Sequence, residues 1–140
     1  MSVEVMWDNA EQSILRFVFE GKWSWEELYP ALNEAFEMEK SVPHRVHAIL
    51  DMRKSVSVPT DVLMHVKNIS DQQLEKSGLS VIVTHNSFIH MLYQVGVKFY
   101  SKIDYYFRVA ATMDEARAMI ERAIARDSLD KTAPKRHVLR

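Results

Sequence analysis

Histidine is the residue type most able to carry chemistry in this chain of 140 residues, which has six histidines and no cysteine. His85 is the best-placed candidate, because it follows an apolar run and precedes Asn86 at the start of a predicted helix. A neutral imidazole there could act as a base. An enzyme that uses His85 with Asp51 or Asn86 is our third hypothesis.

Other catalytic and metal-binding patterns are missing from the sequence. It contains no G-x-S-x-G and no H-E-x-x-H motif, and its three glycines stand too far apart for a phosphate-binding loop. His85 and His90 are five residues apart, so on a helix they point about 140° away from each other. His44 and His47 have no third ligand nearby. We therefore predict no metal, no cofactor and no catalytic residue, in a protein that is not an enzyme.

The composition excludes several classes of protein. The formal net charge is -1, whereas nucleic-acid-binding domains carry a clustered excess of Lys and Arg, so we expect no nucleic-acid partner. The absence of cysteine excludes disulfides and thiolate metal sites. No apolar run approaches the ~20 residues of a membrane-spanning helix, and the first residues are acidic. We expect no integral membrane segment and a cytoplasmic location.

The elements that must position the candidate residues begin with a β-hairpin. Residues 3–7 and 13–19 alternate apolar and polar side chains on either side of a turn. A helix follows, because Ser24 and Glu27 have the spacing of a capping box. Pro30 inside this helix removes a backbone donor and predicts a kink.

Strands and helices alternate after the hairpin. We predict strands at residues 46–52, 79–83 and 104–111, and helices at residues 60–69, 88–100 and 112–126. Such alternation indicates a mostly parallel sheet covered by helices. The predicted fold is α/β, with a β-hairpin, then alternating strands and helices, and a mixed, mostly parallel five-stranded sheet with four helices.

The sequence predicts one domain, over residues 1–126. Beyond it, residues 127–140 carry four basic side chains and a proline, and we expect them to form a poorly ordered basic tail. Within the domain, helical spacing predicts an inner face for the helix over residues 88–100. This face consists of Phe88, Met91, Leu92, Val95 and Phe99.

The loop between the third strand and the second helix is the predicted functional site. In open α/β sheets, ligands and partners meet the loops at the carboxyl ends of strands. This loop carries hydroxyl and charged side chains, namely Arg53, Ser55, Ser57, Thr60 and Asp61. Thr60 is the predicted N-cap of the helix, a structural role worth about 1 kcal/mol.

Two further regions adjoin the loop in this prediction. Thr84, His85 and Asn86, at the start of the third helix, form a secondary surface. Trp25 lies at the first position of the first helix and could belong to a contact surface, where tryptophan is enriched. Packing of Trp25 in the core is the alternative.

Three stretches carry a resemblance to a known family. ILRFVFEGKWSWEEL, HAILDM and FRVAATMDEARAMI, in their order along the chain, resemble the STAS domain of sulfate transporters and anti-sigma-factor antagonists, and are most similar to a stand-alone bacterial branch. The resemblance implies a non-enzymatic signalling regulator. It implies that the loop after the third strand binds a partner kinase or anti-sigma factor, and that phosphorylation of a serine at the helix start switches binding off.

The family's Asp-Ser-Ser-Gly motif is absent from this chain. The corresponding residues are Pro59, Thr60, Asp61 and Val62, of which three differ outright. Asp61 would place a fixed negative charge at the helix N-terminus, which partly imitates a phosphate but cannot be switched. The departure argues against a phosphorylation switch, although Thr60 and the two serines upstream remain as acceptors.

The leading hypothesis is a STAS-like regulatory module that binds an unidentified partner protein through residues 53–61. The second hypothesis is a carrier of a lipid or another small hydrophobic ligand. It follows from the CRAL-TRIO lipid-transfer fold, which shares this order of strands and helices, and from the many Met, Phe and Tyr residues. We also expect a homodimer, because the domain is small and its helices are rich in aromatic residues.

Overall fold

A mixed five-stranded sheet organises residues 2–132, the part of the chain that the computed structural model describes. The strands lie side by side in their order along the chain. They are β1 (Val3–Trp7), β2 (Ile14–Gly21), β3 (Val46–Ser55), β4 (Ser77–Val83) and β5 (Phe107–Ala110). β1 and β2 form an antiparallel hairpin, and every later pair is parallel. The predicted α/β fold with a mixed, mostly parallel sheet is confirmed.

Helices cover both faces of the sheet. They are α1 (Trp25–Lys40), α2 (Val62–Asp71), α3 (Ser87–Phe99), α4 (Ser101–Tyr106) and α5 (Met113–Thr132). Crossovers between parallel strands are right-handed, so strands that advance in one direction carry their crossover helices on one face. Helices α1 to α4 make these crossovers and form one layer, and α5 packs on the opposite face.

Alternating side chains of the strands supply two hydrophobic cores. Beneath the layer of α1 to α4, β2 contributes Leu15, Phe17 and Phe19, which cluster with Leu28 and Leu32 of α1. The core beneath α5 is built mainly from β3, β4 and α5, together with Ile14 of β2 and Ala110 of β5. Its completely buried members are Ile49, Val81, Val83, Ala116 and Ile120.

Polar contacts hold one helix on each face. Ser24 is the N-cap of α1, as predicted, and its backbone N–H donates to Oε1 of Glu27 at 3.0 Å. Pro30 lies inside α1, and the helix continues through it. On the other face, the guanidinium of Arg117 in α5 donates to both carboxylate oxygens of Asp8, at 3.1 and 3.2 Å. This pair ties α5 to the hairpin.

The last predicted strand is partly helical. The sequence predicts a strand over residues 104–111, whereas β5 starts at Phe107 and α4 precedes it. Tyr100 has an extended backbone that separates α3 from α4. Ile103 is then buried close to Gly96, where an added Cβ would lie 3.2 Å from its Cδ1. The described residues therefore form five helices instead of the predicted four.

The predicted inner face of α3 is wrong for most of its residues. Gly96 and Ile89 are buried and Leu92 is partly buried, because the missing side chain of Gly96 lets Leu63 of α2 approach closely. The larger apolar side chains lie on the outside, with Phe99 73% exposed. These exposed residues are Phe88, Met91, Val95 and Phe99.

α5 extends beyond the predicted end of the domain. The helix continues past Arg126 to Thr132, into the segment 127–140 for which we expect a poorly ordered tail. The remaining residues of that predicted tail, 133–140, lie outside the part of the chain that the structure describes.

His47 is a buried imidazole at the start of β3. It is 3% exposed, and its pKa is lowered from 6.5 to about 4, mainly because burial disfavours the charged ring. The positive charge of Arg45 lowers the pKa further, and the negative charge of Asp127 opposes this. The unfolded chain therefore binds the proton more tightly than the folded chain, so acidification through this range favours unfolding.

We expect the wild type to lose about 3 kcal/mol of unfolding free energy between pH 7 and pH 4, relative to His47→Gln. Urea denaturation of both proteins across this range measures the difference. The comparison removes the effect of other groups, such as Glu39, whose pKa is raised by burial. A difference between the two proteins that stays constant with pH would contradict the prediction.

Candidate functional site

The loop between β3 and α2 begins where β3 leaves the sheet. Ser55 pairs with Gly21 of β2, and the backbone N–H of Val56 donates to the carbonyl of Gly21 at 2.9 Å. Gly21 has a φ of +62°, which glycine adopts without strain. Beyond this anchor Val56 is 76% exposed. The loop therefore reaches the surface, as the sequence predicts.

Arg53 is held at the base of the loop by Asp51. Its Nε and Nη2 each donate to one carboxylate oxygen of Asp51 at 2.8 Å. These hydrogen bonds lower the pKa of Asp51, with burial acting in the opposite sense, and they raise the pKa of Arg53. The Arg53 side chain remains 46% exposed, so it is open to a partner on one side. Asp51 is fully engaged by Arg53 and is not a free base.

The two loop serines have different surroundings. Ser55 Oγ accepts a hydrogen bond from Nε1 of Trp23 at 3.0 Å and donates to the carbonyl of Ser57 at 3.1 Å. Ser55 therefore stabilises the loop and the indole beneath it. Ser57 is partly buried, and its backbone carbonyl completes this contact.

The predicted N-cap of α2 is wrong by one residue. The N-cap is Asp61, which has a left-handed backbone with φ of +63° and makes no side-chain capping hydrogen bond. A non-glycine residue in this region is strained. Thr60 is exposed, and its carbonyl accepts a hydrogen bond from Nε1 of Trp25 at 2.8 Å. Thr60 is therefore fixed through its backbone, and α2 begins without the usual stabilisation of its first turn.

The predicted secondary surface is only partly at the surface. Thr84 is 2% exposed, and its Oγ1 accepts the backbone N–H of Asn86 at 3.0 Å. Asn86 is the N-cap of α3 and accepts the N–H of Phe88 at 2.8 Å, which explains it structurally. His85 is exposed. No hydrogen bond within residues 2–132 joins His85 to Asp51 or to the side chain of Asn86.

Trp25 belongs to a contact between α1 and α2. Its ring stacks on the ring of His65, with centroids 4.2 Å apart and planes 17° apart, and meets Trp23 edge-on at 5.1 Å. The hydroxyl of Tyr29, one turn along α1, is hydrogen-bonded to Nδ1 of His65 at 2.8 Å. We call the set of Trp25, Tyr29 and His65 the aromatic contact. His65 is not among the site residues predicted from the sequence, although Trp25 and Tyr29, four residues apart, share the face of α1 that contacts it.

An apolar groove lies between α1 and α2, above the sheet. Its volume is about 80 Å³. Three residues of β3, Ala48, Leu50 and Met52, contribute to its floor, and the helices form its walls. The wall residues are Leu28, Leu32, Ala35 and Phe36 of α1, and Val62, Val66 and Ile69 of α2.

Glu39 is the main charged side chain of the groove. It is 6% exposed, and its Oε1 accepts a hydrogen bond from Ser77 Oγ at 2.9 Å. Burial raises the pKa of Glu39, while the bond from Ser77 and the charge of Lys76 act in the opposite direction. A mainly apolar lining with a few buried polar groups is the composition that ligand sites usually have.

α2 is weakly seated over this groove. Ile69 and Ser70, near its C-terminal end, are its buried residues, and its first turn contains no acidic residue beyond Asp61 at the N-cap. At the other end, the aromatic contact and the bond from Trp25 to the Thr60 carbonyl join it to α1. The N-terminal half of α2 is therefore held by α1 on one side, and Leu63 lies close to Gly96 of α3 on the other.

Residues 2–132 contain no group of three or more His, Asp or Glu side chains that could hold a metal ion. The same part of the chain has no helix that is long and apolar enough to cross a membrane.

Comparisons with known proteins add no assignment. No protein-family model matches the chain, and searches of curated proteins and of solved structures found no match. The function is therefore inferred from the geometry of the groove and the loop.

Proposed function

We propose that this protein binds a small hydrophobic ligand in the groove between α1 and α2, without catalysing a reaction. The supporting observation is the groove itself, whose lining is apolar except for a few groups such as Glu39 and Ser80. Burial of apolar surface contributes roughly 25 cal/mol per Å², so a lipid-like chain gains affinity wherever it replaces water along these walls. The α/β layout also agrees with the CRAL-TRIO hypothesis.

The size of the groove requires movement of α2 on binding. The present volume is about 80 Å³, whereas an engineered apolar cavity that binds benzene measures roughly 150 Å³. An acyl chain therefore fits only if one wall moves outward. α2 is the wall with the least burial, and its first turn has the weakest capping. Rupture of the aromatic contact would release that end from α1.

The polar groups favour a ligand with a polar end. One carboxylate oxygen of Glu39 accepts a hydrogen bond from Ser77, and the groove residues around Glu39 are mainly apolar. A hydroxyl or protonated carboxyl on the ligand would satisfy the second carboxylate oxygen without adding charge. The class that fits is an amphiphile with one alkyl chain and a small polar group.

We expect 1-dodecanol or dodecanoic acid to bind with one-to-one saturation, read from the fluorescence of Trp23 and Trp25, which line the groove. Ala48→Phe should fill the floor of the groove and weaken binding by about tenfold, equivalent to roughly 1.4 kcal/mol. Ala125→Phe, at an exposed position of α5, is the matched control and should bind normally. The unfolding midpoint of each variant verifies that it folds.

Two outcomes would overturn the ligand proposal. One is the absence of saturable binding by either probe, together with native mass spectra that show no co-purified apolar molecule. The other is equal affinity in the wild type and a folded Ala48→Phe variant, because the probe then binds elsewhere.

A second candidate function is partner-protein binding through residues 53–61, as the STAS resemblance implies. The observation that favours it is Val56, an exposed apolar side chain between the anchored Ser55 and the groove-lining Val58. Arg53, which is half-exposed, and Asp61 add charges of both signs around it. A regulatory partner that binds this loop would also contact the start of α2. Its affinity would therefore depend on whether a ligand occupies the groove. The homodimer expected from the small size of the domain and its aromatic-rich helices is a separate proposal.

We expect Val56→Asp to abolish capture of a partner from cells that express the tagged protein. Phe99→Asp places the same charge at an exposed apolar position of α3 and should retain the partner. Quantitative mass spectrometry of the three captures, with light scattering for the homodimer, provides the measurement. If all three proteins recover the same set, the loop is not the binding surface.

A further inference from the structure

A second cavity, of about 340 Å³, lies at the other edge of the sheet. It is lined by residues at the amino-terminal ends of β3, β4 and β5 and by the last turns of α5. Because parallel strands start at one edge and end at the other, this cavity lies away from the loop of residues 53–61. It shares none of its lining with the apolar groove.

His47 gives this cavity a hydrogen-bond donor on a ring that is itself largely buried. Its Nδ1 accepts the backbone N–H of Leu79 at 2.9 Å, so the neutral ring carries its proton on Nε2. No acceptor for Nε2 occurs among the residues that the structure describes. A ligand in the cavity that His47 lines would supply the missing acceptor.

Gly78 makes room for this imidazole. A Cβ at position 78 would lie 2.3 Å from Nδ1 and 2.6 Å from Cε1 of His47, which is closer than atoms can approach. Any larger residue would displace the ring. The position of the imidazole therefore depends on Gly78 of β4 as well as on His47 of β3.

Three arginines surround the donor. Arg45 donates from Nη1 to the Ser77 carbonyl at 3.1 Å, and its Nε pairs with Asp127 at 3.1 Å. Arg108 is held by backbone carbonyls at the end of α4. Arg126 makes no hydrogen bond or ion pair with any described residue. With Asp104 and Asp127 as the acidic lining residues, three positive charges face two negative ones and leave a net charge of +1.

We propose that this cavity binds the oxyanion of a small organic anion, a phosphate monoester or a carboxylate. Guanidinium groups match the geometry of both anions with paired hydrogen bonds. The Nε2–H of His47 adds a donor at the floor, and Arg126 is free to close on the ligand. Tyr105 and Tyr106, which meet edge-on at the rim, offer aromatic surface to the organic part. This site does not depend on the ligand proposed for the groove.

The test uses inorganic phosphate and acetate as probes, with chloride at equal ionic strength as the control. Backbone and imidazole NMR signals of the full chain are followed during each titration. We expect saturable shifts at Gly78, Leu79 and the His47 ring. Saturation with phosphate alone identifies a phosphate monoester site, and saturation with acetate alone identifies a carboxylate site. Linear shifts, or equal shifts with chloride, would overturn the proposal.

Two matched variants locate the anion. Arg126→Gln should weaken binding of the saturating probe by about tenfold, as expected for loss of a charged hydrogen bond. Arg122→Gln changes the same charge one turn earlier at an exposed position of α5 and should leave the affinity unchanged. Neither side chain is buried, so both variants should fold. Equal weakening in both would show general attraction by surface charge and would contradict a site.

Discussion

Helix α2 is joined to α1 by a ring stack and a hydrogen bond at His65, with a second bond from the loop before it, and Leu63 lies close to Gly96 of α3. Trp25 lies flat on His65, Tyr29 bonds to the same imidazole, and the indole N–H of Trp25 donates to the Thr60 carbonyl. Contacts of this kind contribute roughly 1 kcal/mol each, far less than a well-buried helix face. Trp25 of this contact also lines the groove, whereas Tyr29 and His65 lie outside its lining.

The two faces of the sheet differ in how closely their side chains are packed. On the α5 face, fully buried branched side chains such as Ile49 and Val81 fill the core, and the pair of Arg117 with Asp8 fastens the helix. On the other face, alanines line the groove at Ala35 and Ala48, where larger side chains would close it. The closed core can preserve the fold while α2 moves, because separate regions of a protein open at different costs in free energy.

Sequence patterns predicted the sheet and its covering helices but not the cavities between them. Strand alternation and the capping box at Ser24 identified the sheet and α1, because both depend on neighbours in the chain. The apolar stripe of α3 led to a wrong prediction of its inner face. The small size of Gly96, and not the large apolar side chains, allows α2 and α4 to approach α3 closely. The importance of His65 and His47 follows from partners about 30 residues or more away, Trp25 and Gly78, which no local period records.

Native-state hydrogen exchange tests most directly whether α2 is the movable wall of the groove. The account predicts that the amides of α2 exchange through an opening that costs much less free energy than global unfolding, while amides of β3, β4 and α5 exchange only with global unfolding. Added 1-dodecanol should then change protection in α2 first. Protection of α2 equal to that of β3, with and without the ligand, would contradict the account.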